Sequence, residues 1–379
     1  MIYFDHAATT GTYPEVLLEM TPFFRELYGN PSSIYEFGKA AKEMMERARK
    51  QIARSIGAKK EEIYFTSGGT EADNWAILKT AEKNREKGKH IITSGIEHHA
   101  VLRTCAFLER NGYEVTYLPV DENGLISVSE LEQAIREDTI LITIMYANNE
   151  IGTVQPVREI GELAGKKGIL FHTDAVQAYL HEKIDVEKEH IDMLSASGHK
   201  FGGPKGVGFL YIREGTELPS LLRGGDQEKK RRAGTENVAG IVGMGKASAI
   251  GEKNFEENHE TLLRMRNTLI ERLQTEIPDS RINGSLEKRL DGNVNVIFKV
   301  VEGEALLLLL DMAGICVSSG SACNSSSKST SHVLQAIGVP PEYIRGTIRI
   351  TLGAENTMEE IDTLMENLKG YVQNLRENA

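Results

Sequence analysis

The chain has 379 residues, enough for a large domain and a smaller one that each bury a hydrophobic core. Apolar residues make up 40% and charged residues 26%, which is the profile of a soluble globular protein. The formal net charge of −11 argues against a protein that holds nucleic acid or an anionic membrane by bulk electrostatics.

Strand-like and helix-like segments alternate from about residue 60 to about residue 212. Apolar runs bounded by polar residues and glycine predict strands at residues 62–67, 89–95, 114–120, 140–148, 168–175, 192–197 and 206–212. Helical spacing predicts helices between several of them, including residues 130–138 and 157–168. Such alternation is typical of an α/β domain with a mainly parallel sheet, whose ligands gather beyond the carboxyl ends of the strands.

The pattern changes after about residue 250. The order there is a long charged helix, a strand, a leucine-rich helix in which Leu306 to Leu310 should be buried, a serine-rich segment, a strand and a terminal helix. This order predicts a smaller α+β domain. We assign residues 14–250 to the large domain, and residues 1–13 and 251–379 to the small domain, which carries the serine-rich loop 318–331 with Cys323.

The cysteines indicate a reducing compartment. Cys105, Cys316 and Cys323 are too few and too poorly spaced for a disulfide framework or a four-cysteine metal site. No basic segment followed by an apolar run opens the chain, and the longest apolar run, residues 305–310, is far shorter than a membrane span. We therefore predict a cytoplasmic protein that has no membrane segment.

A glycine turn follows the first predicted strand of the large domain. Gly68 and Gly69 let the backbone approach a ligand closely, and Thr70 can cap the helix that follows. The start of such a helix is a ready site for phosphate. An ordinary capped helix explains the segment equally well.

Two further breaks between strands carry reactive polar groups. Asp174 follows a strand, with Gln177 three residues later; it could face a cation such as a protonated pyridine nitrogen, or simply begin a helix. Ser197, His199 and Lys200 lie between two strands. A lysine held in a pocket there can lose its proton and form a Schiff base, whereas a surface lysine would fit the same pattern.

His98 and His99 follow another strand, and Asn148 and Asn149 follow a fourth. The histidines have poor spacing for a metal and no nearby cysteine, so we predict no metal site. They could stack on an aromatic cofactor or form a surface pair, and the asparagines could be turn residues or site groups. Together these segments place a phosphate site, an acid, a lysine and a histidine at one sheet edge, which are the groups that pyridoxal phosphate (PLP) needs.

The motifs that carry these residues resemble those of one family. In the order and spacing of the cysteine desulfurases of the NifS/IscS type, the chain contains FDHAATT, YGNPSS, TSGGTEADN, EHHAV, NNEIGT, HTDAVQ, SASGHKFGGPKG, RRAGTEN and SSGSAC. The resemblance runs from about residue 3 to about residue 370. It implies a fold-type-I PLP-dependent transferase of the class-V aminotransferase family that acts as a homodimer on L-cysteine.

The resemblance implies a role for each matching residue around the PLP ring. Lys200 corresponds to the lysine that forms the Schiff base, and Asp174 to the partner of the ring nitrogen. His98 corresponds to the histidine stacked on the ring, and we expect it to act also as a base or proton relay. Gln177 corresponds to the group that bonds the ring hydroxyl.

Five residues correspond to the family's phosphate contacts. Four of them, Gly69, Thr70, Ser197 and His199, would come from the same chain as Lys200. Thr235 would be lent by the other subunit, so the resemblance implies a site that needs the dimer.

Substrate handling is likewise implied by resemblance. Asn149 and Arg349 match the groups that hold the substrate carboxylate, and an arginine suits that task because its planar fork gives two hydrogen bonds. Cys323 matches the cysteine that receives sulfur as a persulfide, whereas Cys105 and Cys316 have the apolar surroundings of buried structural thiols.

The implied activity converts L-cysteine to L-alanine and passes the sulfur to an acceptor protein, either an iron–sulfur scaffold or a tRNA-thiolation enzyme, without direct nucleic-acid contact. The acceptor stays open because the segment after Cys323 lacks the proline and acid of many relatives and the chain ends soon after its last helix. Residues 228–232, EKKRR, are expected to form a solvated loop. The alternatives are a selenocysteine lyase or aminotransferase on the same scaffold, and a non-catalytic sulfur-relay protein.

Overall fold

A computed structural model describes residues 1–319 and 331–378. Cys323 lies outside the described residues. The strands are β1 (Ile2–Tyr3), β2 (Ile63–Thr66), β3 (His90–Ser94), β4 (Glu114–Leu118), β5 (Thr139–Thr143), β6 (Leu170–Asp174), β7 (Met193–Ser197), β8 (Gly208–Ile212), β9 (Ser280–Ile282), β10 (Asn293–Phe298), β11 (Ile315–Cys316) and β12 (Thr347–Thr351).

The helices lie mostly between these strands. They are α1 (Pro14–Met20), α2 (Pro22–Arg25), α3 (Glu36–Ser55), α4 (Gly69–Asn84), α5 (His99–Arg110), α6 (Val128–Ala134), α7 (Val157–Lys167), α8 (Val238–Lys253), α9 (Phe255–Glu276), α10 (Gly303–Met312), α11 (His332–Ala336), α12 (Pro341–Ile344) and α13 (Met358–Glu377). Short 3₁₀ turns occur at Lys60–Glu62, Gly198–Lys200 and Glu228–Lys230. No helix in the described ranges is both long and apolar enough to span a membrane.

The central sheet has seven strands in the order β2-β8-β7-β6-β5-β3-β4. Only β8 runs antiparallel to its neighbours, so the predicted α/β fold with a mainly parallel sheet is confirmed. Most of these strands are buried along their whole length because helices cover both faces of the sheet. Successive residues point to opposite faces: Ile91 and Tyr64 join the apolar cluster on one side, while Ile92 and Phe65 join the cluster on the other.

This topology gathers the predicted site residues. β2, β3, β5, β6 and β7 all run in one direction, so their carboxyl ends share one edge of the sheet. Asp174 ends β6, and the segments that follow the other four strands carry Gly69, His98, Asn149 and Lys200. The edge is therefore where a ligand of an open parallel sheet is expected to bind.

A smaller antiparallel sheet, in the order β12-β10-β9, forms the second part of the molecule. Its strands pack with α9, α10 and α13 around an apolar cluster that includes Phe4, Leu306 and Leu310. The prediction that Leu306 to Leu310 are all buried is wrong for Leu308, whose exposed fraction is 66%. A helix on the outside of a domain buries one stripe only, whatever its apolar content.

The predicted domain division, residues 14–250 against residues 1–13 and 251–379, stays a prediction. The parallel pair β1-β11 ties the amino terminus to the second part of the chain, in keeping with that division. The sequence missed α3 and α8, which pack closely together. Gly245 permits this contact, because a Cβ there would meet the Cβ of Ala48 at 2.4 Å.

A buried carboxylate joins the two parts of the molecule. Asp291, next to β10, is 2% exposed and accepts hydrogen bonds from Nδ1 of His181 at 2.9 Å and Nδ1 of His259 at 3.2 Å. Burial opposes the protonation of His181, but the charge of Asp291 outweighs it and raises the pKa of His181; the hydrogen bond with Asp291 raises the pKa of His259. Nearby, burial and the charge of Asp291 raise the pKa of Glu182 to about 7.

Replacing Asp291 with asparagine is expected to lower the free energy of unfolding by about 1–3 kcal/mol. A raised histidine pKa contributes stability that is complete below about pH 6.5 and is lost as pH rises through the folded-state pKa. The loss should therefore be larger at about pH 6 than at about pH 8.5. Urea unfolding of the wild type and of Asp291→Asn at the two pH values measures this loss of stability. Asp226→Asn, at an exposed aspartate, is the control. Equal losses at both pH values would contradict the assignment.

Candidate active site

A cavity of about 590 Å³ opens at the carboxyl edge of the central sheet. All but two of the predicted site residues line it: Gly69, Thr70, His98, Asn149, Asp174, Gln177, Ser197, His199, Lys200 and Arg349. Cys323 lies outside the described residues, and Thr235 is exposed elsewhere on the surface. One edge of one sheet therefore brings together groups from six separate segments of the chain.

The start of α4 forms one wall of the cavity. Gly68 is the N-cap and has no side chain to bond the first amides, so the predicted capping by Thr70 is wrong: Thr70 is the second residue of the helix. A Cβ at Gly69 would meet Cγ2 of Val176 at 2.5 Å, which explains the glycine. The amides of this first turn lie beside Ser197 and can bind an anion.

Lys200 ends the 3₁₀ turn after β7 and points toward the N-terminal segment. Its Nζ donates hydrogen bonds to the carbonyl oxygens of Ala7 at 2.6 Å and Ala8 at 2.8 Å. Nε2 of Gln177 donates to the same oxygen of Ala7 at 3.0 Å. The lysine is therefore a cavity residue and not a surface one, held by a segment that is distant in sequence.

Asp174 ends β6 at the floor of the cavity and accepts a hydrogen bond from the amide of Val176 at 2.9 Å. Burial raises its pKa, while the charges of His98 and Lys200 act in the opposite direction. Asp73 is buried close by, and burial together with the charge of Asp174 raises its pKa well above the usual range. Of the two acids, Asp174 is the one whose ionised form the charge of Lys200 favours.

Asp73, His98 and Asp174 each offer a ligand atom within 4.8 Å of the other two. Among the residues that the structure describes, they are the one cluster whose spacing would suit a metal ion. Two of these groups also suit a protonated aromatic ring, since the carboxylate of Asp174 can pair with the ring nitrogen and the imidazole of His98 can cover the ring face. The absence of a metal stays a prediction.

Two histidines of the cavity have their orientation set by the fold. His98 is the N-cap of α5, and its Nδ1 accepts the amide of Ala100 at 3.2 Å, which leaves the proton on Nε2. Nδ1 of His199 lies 3.1 Å from Oγ1 of Thr9. Burial, with the nearby charge of Lys200, lowers the pKa of His199 to about 4, so this imidazole is neutral.

Arg349 reaches the cavity from β12 and is 2% exposed. It donates hydrogen bonds to the carbonyl oxygen of Asn149 at 3.0 Å and to Oδ1 of Asp5 at 2.8 Å. A guanidinium on one wall of a cavity, opposite a lysine amine, is suited to a small substrate that carries a carboxylate and an amino group.

The comparison with protein families identifies this scaffold, because the model of the class-V aminotransferases matches residues 2–364. The chain belongs to the class-V aminotransferase family. It is 58% identical to a cysteine desulfurase IscS of Methanosarcina thermophila over 99% of this chain and 93% of the relative, and 52% identical to one of Clostridium botulinum over 99% and 95%. The resemblance to the NifS/IscS type is confirmed.

The comparison with solved structures agrees with this family assignment. A NifS-like protein superposes with a TM-score of 0.93 at 40% identity, covering 98% of this chain and 99% of that one. A structure titled SspA in complex with cysteine gives a TM-score of 0.84 at 40% identity, covering 94% and 100%. These likenesses confirm the predicted fold-type-I architecture.

Sequence reasoning missed two buried acids of this class-V site. Glu97 accepts hydrogen bonds from Oγ of Ser94 and the amide of Met145, and burial raises its pKa to about 8. Glu150 is also buried, and burial raises its pKa to about 7. Each acid is the immediate neighbour of a predicted site residue, in EHHAV and NNEIG, and that adjacency was the available signal.

The segment that precedes Thr235 differs from its prediction as a solvated loop. Glu228 is buried and makes two hydrogen bonds with Arg49, at 2.7 and 2.8 Å. Arg232 pairs with Glu71 in the first turn of α4 at 2.8 Å. Residues 228–230 all have positive φ, a costly conformation that the buried ion pair stabilises. Buried pairing, which composition does not reveal, makes this loop part of the scaffold.

Proposed function

We propose that this protein is a PLP-dependent cysteine desulfurase: it converts L-cysteine to L-alanine, and the sulfur is held as a persulfide on Cys323. The carrying observation is that the amine of Lys200 and the guanidinium of Arg349, from distant parts of the chain, line one cavity. Full-length relatives that are named cysteine desulfurases support the same activity.

The residues around the cavity fit PLP. The amides at the start of α4, with Gly69, Thr70, Ser197 and His199, would hold its phosphate, since the uncapped helix start attracts an anion. Asp174 would pair with the ring nitrogen, His98 would cover the ring and Gln177 would bond its hydroxyl. When bound, PLP would supply an electron sink for negative charge on the substrate Cα.

The chain's own groups would bind the substrate and move its proton. Arg349 and Asn149 would hold the carboxylate of L-cysteine, which directs its Cα toward Lys200. The amine of Lys200 would take the proton from Cα, because the carbonyl oxygens of Ala7 and Ala8 orient it within the cavity. Nε2 of His98 is then the group suited to give or take a proton near the sulfur.

Cys323 would complete the transfer. Its thiolate attacks Sγ of the bound cysteine, a sulfur–sulfur bond forms, and the Cβ–Sγ bond breaks with its electron pair left on Cβ. Protonation of Cβ gives alanine, so sulfur leaves as the outer atom of the persulfide without an external oxidant. A second thiol, on an iron–sulfur scaffold or a tRNA-thiolation enzyme, would accept that atom.

A homodimer and a cytoplasmic location belong to the same proposal. Thr235 lies outside the cavity of its own chain, as expected of a phosphate contact lent to a second copy. Large apolar side chains near the amino terminus are exposed and would be covered by that copy: Leu17, Leu18, Phe24, Tyr28, Ile34, Tyr35 and Phe37. A persulfide-forming thiol also needs a reducing compartment.

The test is the product of the PLP-loaded protein with L-cysteine and a thiol reductant. Equal amounts of alanine and sulfide are expected, from a preparation that sediments with the mass of two chains. A keto acid would indicate an aminotransferase instead. Release of alanine from selenocysteine but not from cysteine would indicate a selenocysteine lyase, and a colourless protein that binds no PLP would indicate a sulfur relay.

A further inference from the structure

The start of α11 packs directly against two loops of the active site. Oγ of Ser331, the N-cap of this helix, donates a hydrogen bond to Oε2 of Glu150 at 2.6 Å, and both residues are buried. Nε2 of His332 lies 3.0 Å from the carbonyl oxygen of Glu97. A carbonyl only accepts, so this nitrogen carries the proton. Two successive residues therefore bond two loops that also carry predicted site residues.

An apolar contact supports these hydrogen bonds. Side chains of α11 and of the two active-site loops form one buried cluster, separate from the main cores: Ile96, Met145, Ile151, Val333, Leu334 and Ile337. Ile96 and Ile151 are the direct neighbours of Glu97 and Glu150. The contact of Ser331 with Glu150 is thus held on both sides by packed side chains.

The chain that leaves the small sheet before this junction is bonded to the same site. The amide of Ser318 donates to the carbonyl oxygen of Arg349 at 3.1 Å, and the amide of Arg349 donates back to Ser318. The guanidinium of Arg349 bonds the carbonyl oxygen of Asn149, the neighbour of Glu150. On one side of residues 320–330 the chain is therefore attached to Arg349, and on the other side to Glu150, the neighbour of Asn149.

We propose that Ser331 and Glu150 form a positioning contact, which determines where the segment that carries Cys323 joins the substrate-binding loop and so aligns its thiol with the bound cysteine. The inference rests on the proposed desulfurase function. Ser331 and Glu150 would not touch the substrate themselves but would act through Cys323 and Asn149. When Glu150 is ionised, its charge strengthens the hydrogen bond that it accepts from the Ser331 hydroxyl.

Ser331→Ala is expected to lower kcat for sulfide release about 10–100-fold, because a displacement of about 1 Å is enough to cause such a loss. KM for cysteine and the yellow absorbance of bound PLP should stay within about twofold, since neither residue is expected to hold the substrate or PLP. Ser127→Ala is the matched control: Ser127 is the N-cap of α6 and bonds the amide of Glu130. It should keep full kcat.

A double-mutant cycle separates this contact from general destabilisation. Glu150→Ala should lose as much kcat as Ser331→Ala, and the double variant should lose no more than either single variant. Glu150→Gln keeps an oxygen that can accept from Ser331, so it should retain most of kcat. Unchanged kcat in Ser331→Ala, an equal loss in Ser127→Ala, or additive losses in the double variant would overturn the inference. Failure of the wild-type protein to release alanine and sulfide would instead overturn the proposed function.

Discussion

Lys200→Ala should abolish covalent attachment of PLP and lower the desulfurase rate by at least about 10⁴-fold. The reason is that in the proposed function Lys200 would supply the amine that both attaches the cofactor and moves the Cα proton, and no other lysine donates to the carbonyls of Ala7 and Ala8 among the hydrogen bonds of the described residues. Borohydride reduction followed by peptide mass measurement locates the attachment. In the wild type, the added mass should fall on the peptide that contains Lys200.

The control for this experiment is Lys183→Ala, at an exposed lysine on the same β6–β7 connection. It should attach PLP and turn over cysteine at the wild-type rate. An added primary amine should restore part of the activity of Lys200→Ala, because a small amine can enter the space left by the side chain. Covalent attachment at another lysine would contradict the role proposed for Lys200.

Cys323→Ala should abolish persulfide formation and lower sulfide release at least about 10²-fold, while PLP attachment stays intact. The thiol is required only after the substrate is bound, so the absorbance change on adding cysteine should persist. Treatment with a thiol-alkylating reagent after one turnover, followed by peptide mass measurement, identifies the residue that carries the extra sulfur.

Cys316→Ala is the matched control for Cys323. Cys316 lies seven residues upstream and is half-buried, which corrects the prediction that it is a buried thiol; Cys105 is buried as predicted. Cys316→Ala should leave sulfide release unchanged, since Cys316 belongs to the β1-β11 pair and does not line the cavity. Extra sulfur on Cys316, or wild-type sulfide release from Cys323→Ala, would refute the role of Cys323.

Sequence reasoning succeeded where a local pattern has only one good structural solution. The runs that became β3, β5 and β7 are rich in apolar residues and are buried at every position, and a sheet covered on both faces accommodates several such runs in alternation with helices. It failed where burial depends on distant partners. The helices α3 and α8 are far apart in the sequence but pack against each other. Leu308 is exposed although Leu306 and Leu310, on the same helix, are buried.

The residues of the site also divide into those that the sequence indicated and those that it did not. Motifs indicated Lys200 and Asp174 because each is a strongly polar residue at the end of an apolar strand, whereas Arg349 was indicated by the family resemblance alone. They gave no sign that Glu97 and Glu150 would be buried acids with raised pKa values, since burial is a property of the packed molecule.

By itself, the sequence determined the order of strands and helices, and hence that several polar segments would meet at one sheet edge, because parallel strands align their carboxyl ends. Only the tertiary structure decided which groups touch. Arg349 meets Asn149 across 200 residues, and Ser331 meets Glu150 across 181, because packing of the small sheet and α11 against the large domain brings them together. Contacts of that length depend on how whole elements pack, and no local pattern of residues encodes them.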